Sequence, residues 1–188
     1  MLNKISIATG KSRFDKSWKN TELHWDTLVD RLRKTKRTDE LYSDYLKMSK
    51  DKQGDVKDVG GFVGGIVTGG RRIIGKVNAR YLITLDIDFA PYDVWEDLTL
   101  MYDNEMVLYS THKHSKETPR YRLIMPLDRE VMADEYEAIS RRLAGDISIE
   151  IFDPTTFQPE RLMYWPSTSK DGEYIFKHQK GPWISADA

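Results

Sequence analysis

Two aspartates at the end of an apolar run have the spacing of a metal site. The run 81–85 is rich in residues that favour a buried strand, and Asp86 and Asp88 follow it with one residue between them. Because side chains alternate along a strand, both carboxylates project to one face. Carboxylates this close repel each other unless a proton or a cation lies between them, so Mg²⁺ or Mn²⁺ would suit the pair. A solvent-exposed strand end explains Asp-x-Asp alone equally well.

A second group of polar residues lies in the segment 110–126. A hairpin with its tip at 115–119 would pair His112 with Arg122 and His114 with Arg120. The four side chains would then share one face, where two imidazoles and two guanidiniums repel each other unless an anion binds. Arginine binds phosphate with a planar fork, so the pattern favours a polyphosphate clamp over a structural sheet face.

Composition limits the classes of protein that fit. The 188 residues suit a single domain, 1–188, with an N-terminal α/β part over 1–80 and a catalytic half over 81–188. The absence of cysteine excludes disulfides, thiolate zinc sites and cysteine nucleophiles, and predicts a cytoplasmic location. No apolar run approaches the length of about 20 residues that spans a bilayer, so no membrane partner is expected. The net charge of −1 means that nucleic-acid binding needs local basic groups, such as those in 31–37 and 70–72.

Periodicity predicts alternating helices and strands. The stripe of Trp25, Leu28, Val29 and Leu32 predicts an amphipathic helix over 22–34, capped by Asn20 or Thr21. Further helices are expected over 39–50, 92–102 and 132–144, and the polar stretch 51–58 reads as a loop. Strands are expected over 4–8, 81–88, 106–111, 146–151, 161–167 and 174–178.

Two further segments have competing interpretations. The glycine-rich stretch 59–72 is a packed hairpin or a backbone surface against a ligand, and the hairpin is favoured, with Arg71 and Arg72 left undecided. The loop 9–13 is a surface turn or an anion-binding loop using its amides, Lys11 and Arg13, and the surface turn is favoured.

Taken together, these segments resemble the archaeo-eukaryotic primase superfamily, in the primase-polymerase branch of phages and other mobile elements. The stretch 85–88 matches an apolar strand ending in Asp-x-Asp, and 110–112 matches Ser-x-His. Phe152-Asp153, with 164–167, matches a lone aspartate followed by a strand ending near Pro-Ser. The resemblance implies an α+β fold with a mixed, mainly antiparallel central sheet of the RRM-like primase type, flanked by helices.

The resemblance also implies a role for each matched residue. Asp86, Asp88 and Asp153 would hold two Mg²⁺ or Mn²⁺ ions for template-directed nucleotidyl transfer. The residues expected to bind the incoming nucleotide are Ser110, His112, His114, Arg120, Arg122 and Arg161. The expected partners are a DNA template or primer, nucleoside triphosphates, and a helicase domain or subunit. The chain would be the N-terminal part of a longer polypeptide or a stand-alone domain.

Several alternatives stay open. His114 competes with His112 for the phosphate contact. Asp146 competes with Asp153 as the third metal ligand, and Asp153 is preferred because the apolar Ile151 and Phe152 precede it. A rolling-circle nicking endonuclease would use His112-Lys113-His114 with a tyrosine nucleophile. A non-catalytic module would keep the fold to bind nucleotide or DNA. Repulsion between the acids also predicts that removing Asp86 or Asp88 raises stability when no metal is bound.

Overall fold

An antiparallel five-stranded sheet forms the centre of the computed structural model, which describes residues 3–187. Its strand order is β11-β7-β8-β6-β5, and every neighbouring pair is antiparallel. The strands are β5 (Gly65–Val67), β6 (Val77–Ile87), β7 (Met106–Ser110), β8 (Tyr121–Val131) and β11 (Phe176–Gln179). The expected α+β fold with a mainly antiparallel central sheet is confirmed.

A second, four-stranded sheet is built largely from the N-terminal third of the chain. Its order is β2-β1-β4-β9, and it contains β1 (Lys4–Gly10), β2 (Lys19–His24), β4 (Gly61–Val63) and β9 (Met163–Tyr164). A parallel pair joins β3 (Lys36–Arg37) to β10 (Ser167–Thr168). The predicted strand over 161–167 is therefore split between two sheets.

Helices cover both faces of the five-stranded sheet. The helices are α1 (Trp25–Leu32), α2 (Tyr42–Lys47), α3 (Lys50–Lys57), α4 (Trp95–Met101) and α5 (Ala133–Ile147). None of the helices within residues 3–187 has the length and apolar character needed to cross a membrane.

The central strand β6 shows why the two faces differ. Ile83, Leu85 and Ile87 join the core formed with α4 and α5, whereas Leu82 joins the core formed with α1 and β1. The alternation of side chains therefore directs Asp86 toward the N-terminal sheet. The predicted stripe on α1 is buried in this second core. The face of β6 that carries Asp86 is therefore the face that carries Leu82, on the side of α1 and the four-stranded sheet.

Four of the predicted elements differ from the structure for identifiable reasons. Residues 22–24 belong to β2, so α1 begins after His24 and neither predicted cap is used. The expected helix over 39–50 is interrupted, and the expected loop over 51–58 is α3, which Ser49 caps by accepting a hydrogen bond from the amide of Lys52. The stretch 146–151 is not a strand, because α5 continues to Ile147 and a 3₁₀ turn, Ile149–Ile151, follows it.

The expected glycine-rich hairpin is also wrong. β4 pairs with β1 and β9, whereas β5 pairs with β6, so the chain passes from one sheet to the other at Gly64. A Cβ at Gly64 would lie 2.8 Å from the Cβ of Leu82, so glycine permits this close passage over β6. The glycines serve the crossing between sheets.

Candidate active site

A polar cavity of about 290 Å³ opens at the end of β6, between β8, the loop 111–120 and the helices α2 and α3. Asp86 and Asp88 both line it, which confirms that the two carboxylates lie on one side of the strand. Six basic side chains line the same cavity, so with His112 neutral the lining carries a formal charge of +4. These six residues are Lys50, Lys57, Lys113, Arg120, Arg122 and Arg161. A cavity of this charge suits a polyphosphate.

Asp86 is buried between two arginines. It is 5% exposed, and its Oδ1 accepts a hydrogen bond of 2.8 Å from Nε of Arg122. Its Oδ2 lies 3.4 Å from Nε of Arg161. Asp86 and Arg122 are direct neighbours in the register of β6 and β8, so the sheet itself positions this ion pair. Burial opposes the protonated form of Arg122, but the charge of the Asp86 carboxylate outweighs burial and raises the pKa of Arg122.

Asp153 lies beside Asp86 although 67 residues separate them in sequence. The amide of Asp153 donates a hydrogen bond of 3.0 Å to the carbonyl oxygen of Asp86, and Phe152 pairs with Ile87. Nη2 of Arg161 lies 2.7 Å from Oδ2 of Asp153, so Arg161 bridges the two carboxylates. Asp146, the alternative third acid, is exposed on α5. The structure therefore brings Asp153, and not Asp146, to the end of β6.

The pKa of Asp153 reflects this setting. Burial by itself raises the pKa of the carboxyl group. Hydrogen bonds from the amide and hydroxyl of Thr155, together with the charges of Arg161 and Lys57, outweigh burial and lower the pKa below its ordinary value. Asp153 is therefore ionised at neutral pH.

Asp88 has a more open environment. Its Oδ1 lies 3.2 Å from Nη1 of Arg120, and the side chains of both residues are about a quarter exposed, at 28% and 26%. All three acids of the predicted constellation are thus paired with arginines that the sequence assigned to phosphate binding.

The expected register of the 110–126 hairpin is wrong. Arg122 pairs with Tyr109, and Tyr121 pairs with Ser110. The partner of Arg122 therefore lies three residues before His112, the partner expected from the sequence. β7 ends at Ser110, and residues 111–120 form a loop. Arg120, Arg122 and His112 still line the cavity, whereas His114 does not belong to its lining. The four side chains therefore do not share one sheet face.

His112 is held by residues from distant segments. Its Nδ1 lies 2.8 Å from Oγ of Ser167, and its Nε2 lies 2.8 Å from Oε1 of Glu40. Burial lowers the pKa of His112, although the Glu40 carboxylate partly offsets this effect. A neutral ring that donates from Nε2 to Glu40 can accept from the Ser167 hydroxyl at Nδ1. Both ring nitrogens of His112 are therefore engaged within the protein.

His114 and Ser110 have structural partners. Nδ1 of His114 accepts a hydrogen bond of 3.1 Å from the amide of Arg120, and its ring packs against Tyr121 at 4.9 Å between centroids. Oγ of Ser110 accepts a hydrogen bond of 2.8 Å from the amide of Ile175, which fixes the approach to β11. The two histidines of 112–114 consequently point to different partners and do not converge.

Sequence reasoning missed three basic residues that line the cavity, Lys50, Lys57 and Lys113, and it missed Glu40, the partner of His112. Lys50, Lys57 and Glu40 lie in the N-terminal part, where no motif of the superfamily was found. Lys57 ends α3 and lines the cavity, and its ammonium lies 5.0 Å from the ring centre of Tyr164. Burial, reinforced by the charge of Arg122, lowers the pKa of Lys57 to about 8, despite the opposing charges of Asp86 and Asp88. A half-buried cation that has no directly bonded carboxylate within residues 3–187 is a candidate phosphate ligand.

The residues present match a divalent metal in donor type. Asp86, Asp88 and Asp153 supply the carboxylate oxygens that Mg²⁺ and Mn²⁺ prefer. Within residues 3–187, however, no three acidic or histidine side chains are arranged so that they could hold an ion as they stand. Arg161 accounts for this, because it lies between Asp86 and Asp153 and supplies the positive charge there. In this structure the cation between Asp86 and Asp153 is therefore the guanidinium of Arg161.

The whole chain matches one known protein family. The family model described as the VapE N-terminal domain covers residues 2–188, so the chain belongs to this family. No curated protein matches the chain.

Among solved structures, the AEP domain of the cyanophage S-2L primase-polymerase (PrimPol) is similar to this chain. The TM-score is 0.51 over 99% of this chain and 86% of that chain, with 16% sequence identity. At this identity the likeness establishes the fold. The expected primase fold and the expected relation to the N-terminal domains of phage and mobile-element proteins are thereby confirmed.

Proposed function

We propose that this VapE N-terminal domain is a primase-polymerase domain, a nucleotidyltransferase that extends a strand from nucleoside triphosphates on a template. The observation that carries the proposal is the position of Asp86 and Asp88 in a cavity lined by six basic side chains. Acidic residues for cations and basic residues for phosphates are what phosphoryl transfer with metal ions needs.

Asp86, Asp88 and Asp153 would hold Mg²⁺ or Mn²⁺. When bound, such ions activate the attacking 3′-hydroxyl and neutralise charge on the triphosphate. Arg161 would leave the two carboxylates that it bridges and turn its fork toward a phosphate oxygen. Because Arg122 pairs with Asp86 on the sheet, its side chain would keep its position. It would contact the triphosphate from the side of the cavity that the sheet forms. Arg120, which is more exposed, would add a second contact.

His112 has a positioning role in this scheme. Its contacts with Glu40 and Ser167 join the loop after β7 to the N-terminal part and to β10. The ring of Tyr45 packs against it at 4.4 Å between centroids. His112 would therefore fix one wall of the nucleotide cavity and meet the phosphates only if Glu40 released Nε2. Ser110 and His114 would support the same loop from outside the cavity.

The proposal is tested by incorporation of a labelled nucleotide on a primed template. Wild-type protein with Mg²⁺ or Mn²⁺ should extend the primer, and EDTA should stop extension. Failure to extend primed DNA or RNA, or to start a new strand, with either metal and with a partner helicase supplied would exclude the polymerase. Parallel reactions with deoxynucleotides and ribonucleotides would identify the product.

One observation favours a second candidate, the non-catalytic binding module. Every acid of the constellation is paired with an arginine, which is a stable arrangement without metal. A module of this kind would bind a nucleoside triphosphate with equal affinity with and without divalent ions. The nicking endonuclease has no such support, because His112 and His114 do not converge. It would also form a tyrosyl-DNA adduct, which denaturing gels detect.

The depressed pKa of Lys57 predicts a pH dependence of nucleotide binding. The protonated ammonium attracts a triphosphate, and its protonated fraction falls as pH rises through about 8. The dissociation constant of a labelled triphosphate should therefore increase up to about tenfold from pH 7 to pH 9. The measurement is fluorescence anisotropy at constant ionic strength.

The matched variant for this prediction is Lys57→Arg. Arginine stays protonated over the whole range, so its affinity profile should be flat. An equally steep profile in Lys57→Arg would show that another group titrates.

The family assignment suggests two further partners. A VapE N-terminal domain would be followed by other domains, and a helicase domain or subunit that supplies single strand would suit a primase-polymerase. Template and primer would complete the assembly.

A further inference from the structure

A second polar cavity, of about 460 Å³, adjoins the candidate active site. The two cavities share Lys57, Arg161, Leu162 and Tyr164 as a common wall. The second cavity is also lined by Arg13, Phe14 and Arg72. We refer to it as the basic groove, because its lining has four basic side chains and one acidic one, Glu160.

The aromatic side chain of Phe14 lines this groove and is not packed into a hydrophobic core. It is 70% exposed, and the guanidinium of Arg13 lies over its ring, 4.4 Å from the centroid. Phe14 sits in a loop that is well fixed: its amide donates to Oγ of Ser12, and the amide of Arg13 donates to Asp58. A fixed, exposed ring supported by arginine is a stacking platform for a nucleobase.

Arg72 forms no salt bridge with a carboxylate among residues 3–187, although the charges of Glu160 and Asp58 act on it from a distance. Its Nη1 and Nη2 donate to the carbonyl oxygens of Glu160 and Arg13, which are uncharged groups. Its Nε is buried and has no hydrogen-bond partner among the described residues. Burial lowers the pKa of Arg72, as expected for a cation without a carboxylate against it. A phosphate at this position would supply the missing negative charge.

The loop amides do not provide an alternative anion site. The amide of Lys11 donates to Asp15, and that of Arg13 donates to Asp58. The anion-binding form of the loop 9–13 is therefore not available. Because the guanidinium of Arg13 pairs with Asp55, phosphate binding in the groove depends on Arg72.

We propose that the basic groove binds a single-stranded polynucleotide, with one base stacked on Phe14 and a backbone phosphate on Arg72. The shared wall would then place the next base of this strand at the nucleotide cavity, so the bound strand is the template. Its role as template rests on the proposed function, whereas strand binding does not.

The test measures strand binding in the absence of nucleotide and metal. A fluorescent single-stranded 20-mer is titrated with protein in EDTA over a series of salt concentrations. Phe14→Ala should weaken binding roughly tenfold without changing the salt slope, and Phe14→Tyr should restore it. Arg72→Gln should reduce the slope of log K against log salt by roughly 0.7, and Arg72→Lys should retain it.

Two remote variants serve as matched controls. Leu100→Ala removes an apolar side chain that is 85% exposed on α4. Arg129→Gln removes one positive charge at the end of β8 opposite to Arg122. At that end, Arg129 pairs with Glu135 and Asp187. Both should bind the 20-mer like wild type, apart from a small nonspecific effect of charge in Arg129→Gln. Melting temperatures verify that the groove variants are folded.

The inference is overturned if Phe14→Ala and Arg72→Gln both bind like wild type, or if wild type shows no binding at about 100 μM and low salt. If Arg72→Gln fails to fold, Phe14→Ala and Phe14→Tyr decide alone, because Phe14 is exposed. An RNA 20-mer of the same sequence shows whether the groove takes DNA, RNA or both. Strand binding is independent of catalysis, so a protein that binds in this way but incorporates no nucleotide would overturn only the proposed function.

Discussion

Asp88→Asn should reduce nucleotide incorporation at least about 10³-fold while leaving the protein folded. The asparagine keeps the size of the side chain but loses the charge that holds a metal ion, and such an ion contributes several kcal/mol to phosphoryl transfer. The pair of Asp88 with Arg120 is partly exposed, so its loss should change the free energy of unfolding by no more than about 1 kcal/mol. Primer extension and urea denaturation measure the two effects.

Two further substitutions serve as a matched pair for this prediction. Asp153→Asn should lose activity like Asp88→Asn, because Asp153 lies beside Asp86. Asp146→Asn should keep wild-type extension, because Asp146 is exposed on α5. Wild-type extension by Asp88→Asn or Asp153→Asn would show that these acids do not hold the ions.

Asp86→Asn should lose both activity and stability. The ion pair of Asp86 with Arg122 is 2.8 Å long, and the side chains are 7% and 8% exposed. Removal of one partner of a buried pair leaves the other charge buried, at a cost of about 3–5 kcal/mol. We therefore expect the free energy of unfolding to fall by about 3 kcal/mol, as measured by urea denaturation without metal.

The double variant Asp86→Asn with Arg122→Met tests whether the loss of stability comes from the unpaired charge of Arg122. It should recover part of the loss, since neither side chain then carries an unpaired charge. This prediction reverses the expectation from sequence, in which repulsion between the acids made their removal stabilising. That expectation assumed that the carboxylates had no cationic partners. An Asp86→Asn variant as stable as wild type, or more stable, would favour the repulsion view.

Local alternation was sufficient to predict the acidic half of the site. A run of strand-forming residues fixes which side Asp86 and Asp88 face, because the period of a strand is two. The apolar residues Ile151 and Phe152 before Asp153 then favoured Asp153 over Asp146, and the structure places Asp153 beside Asp86. A strong apolar stripe also predicted the helical conformation of α1 correctly.

The basic half could not be predicted from local pattern. The hairpin register depends on where β7 ends, and Pro119, which has no amide hydrogen, cannot continue the ladder opposite His112. α3 was missed because it buries no side chain completely and has no apolar stripe. Lys57 reaches the cavity, and Glu40 reaches His112, only through packing of the N-terminal part against the five-stranded sheet. Contacts over 50 residues or more leave no local signal.

The most direct test is a crystal of the protein with Mn²⁺ and a nucleoside triphosphate, in which anomalous scattering locates the metal. Our account predicts manganese peaks among Asp86, Asp88 and Asp153, with Arg161 displaced from the carboxylates onto a phosphate. A bound triphosphate with Arg161 still bridging Asp86 and Asp153, and no manganese at these acids, would contradict it.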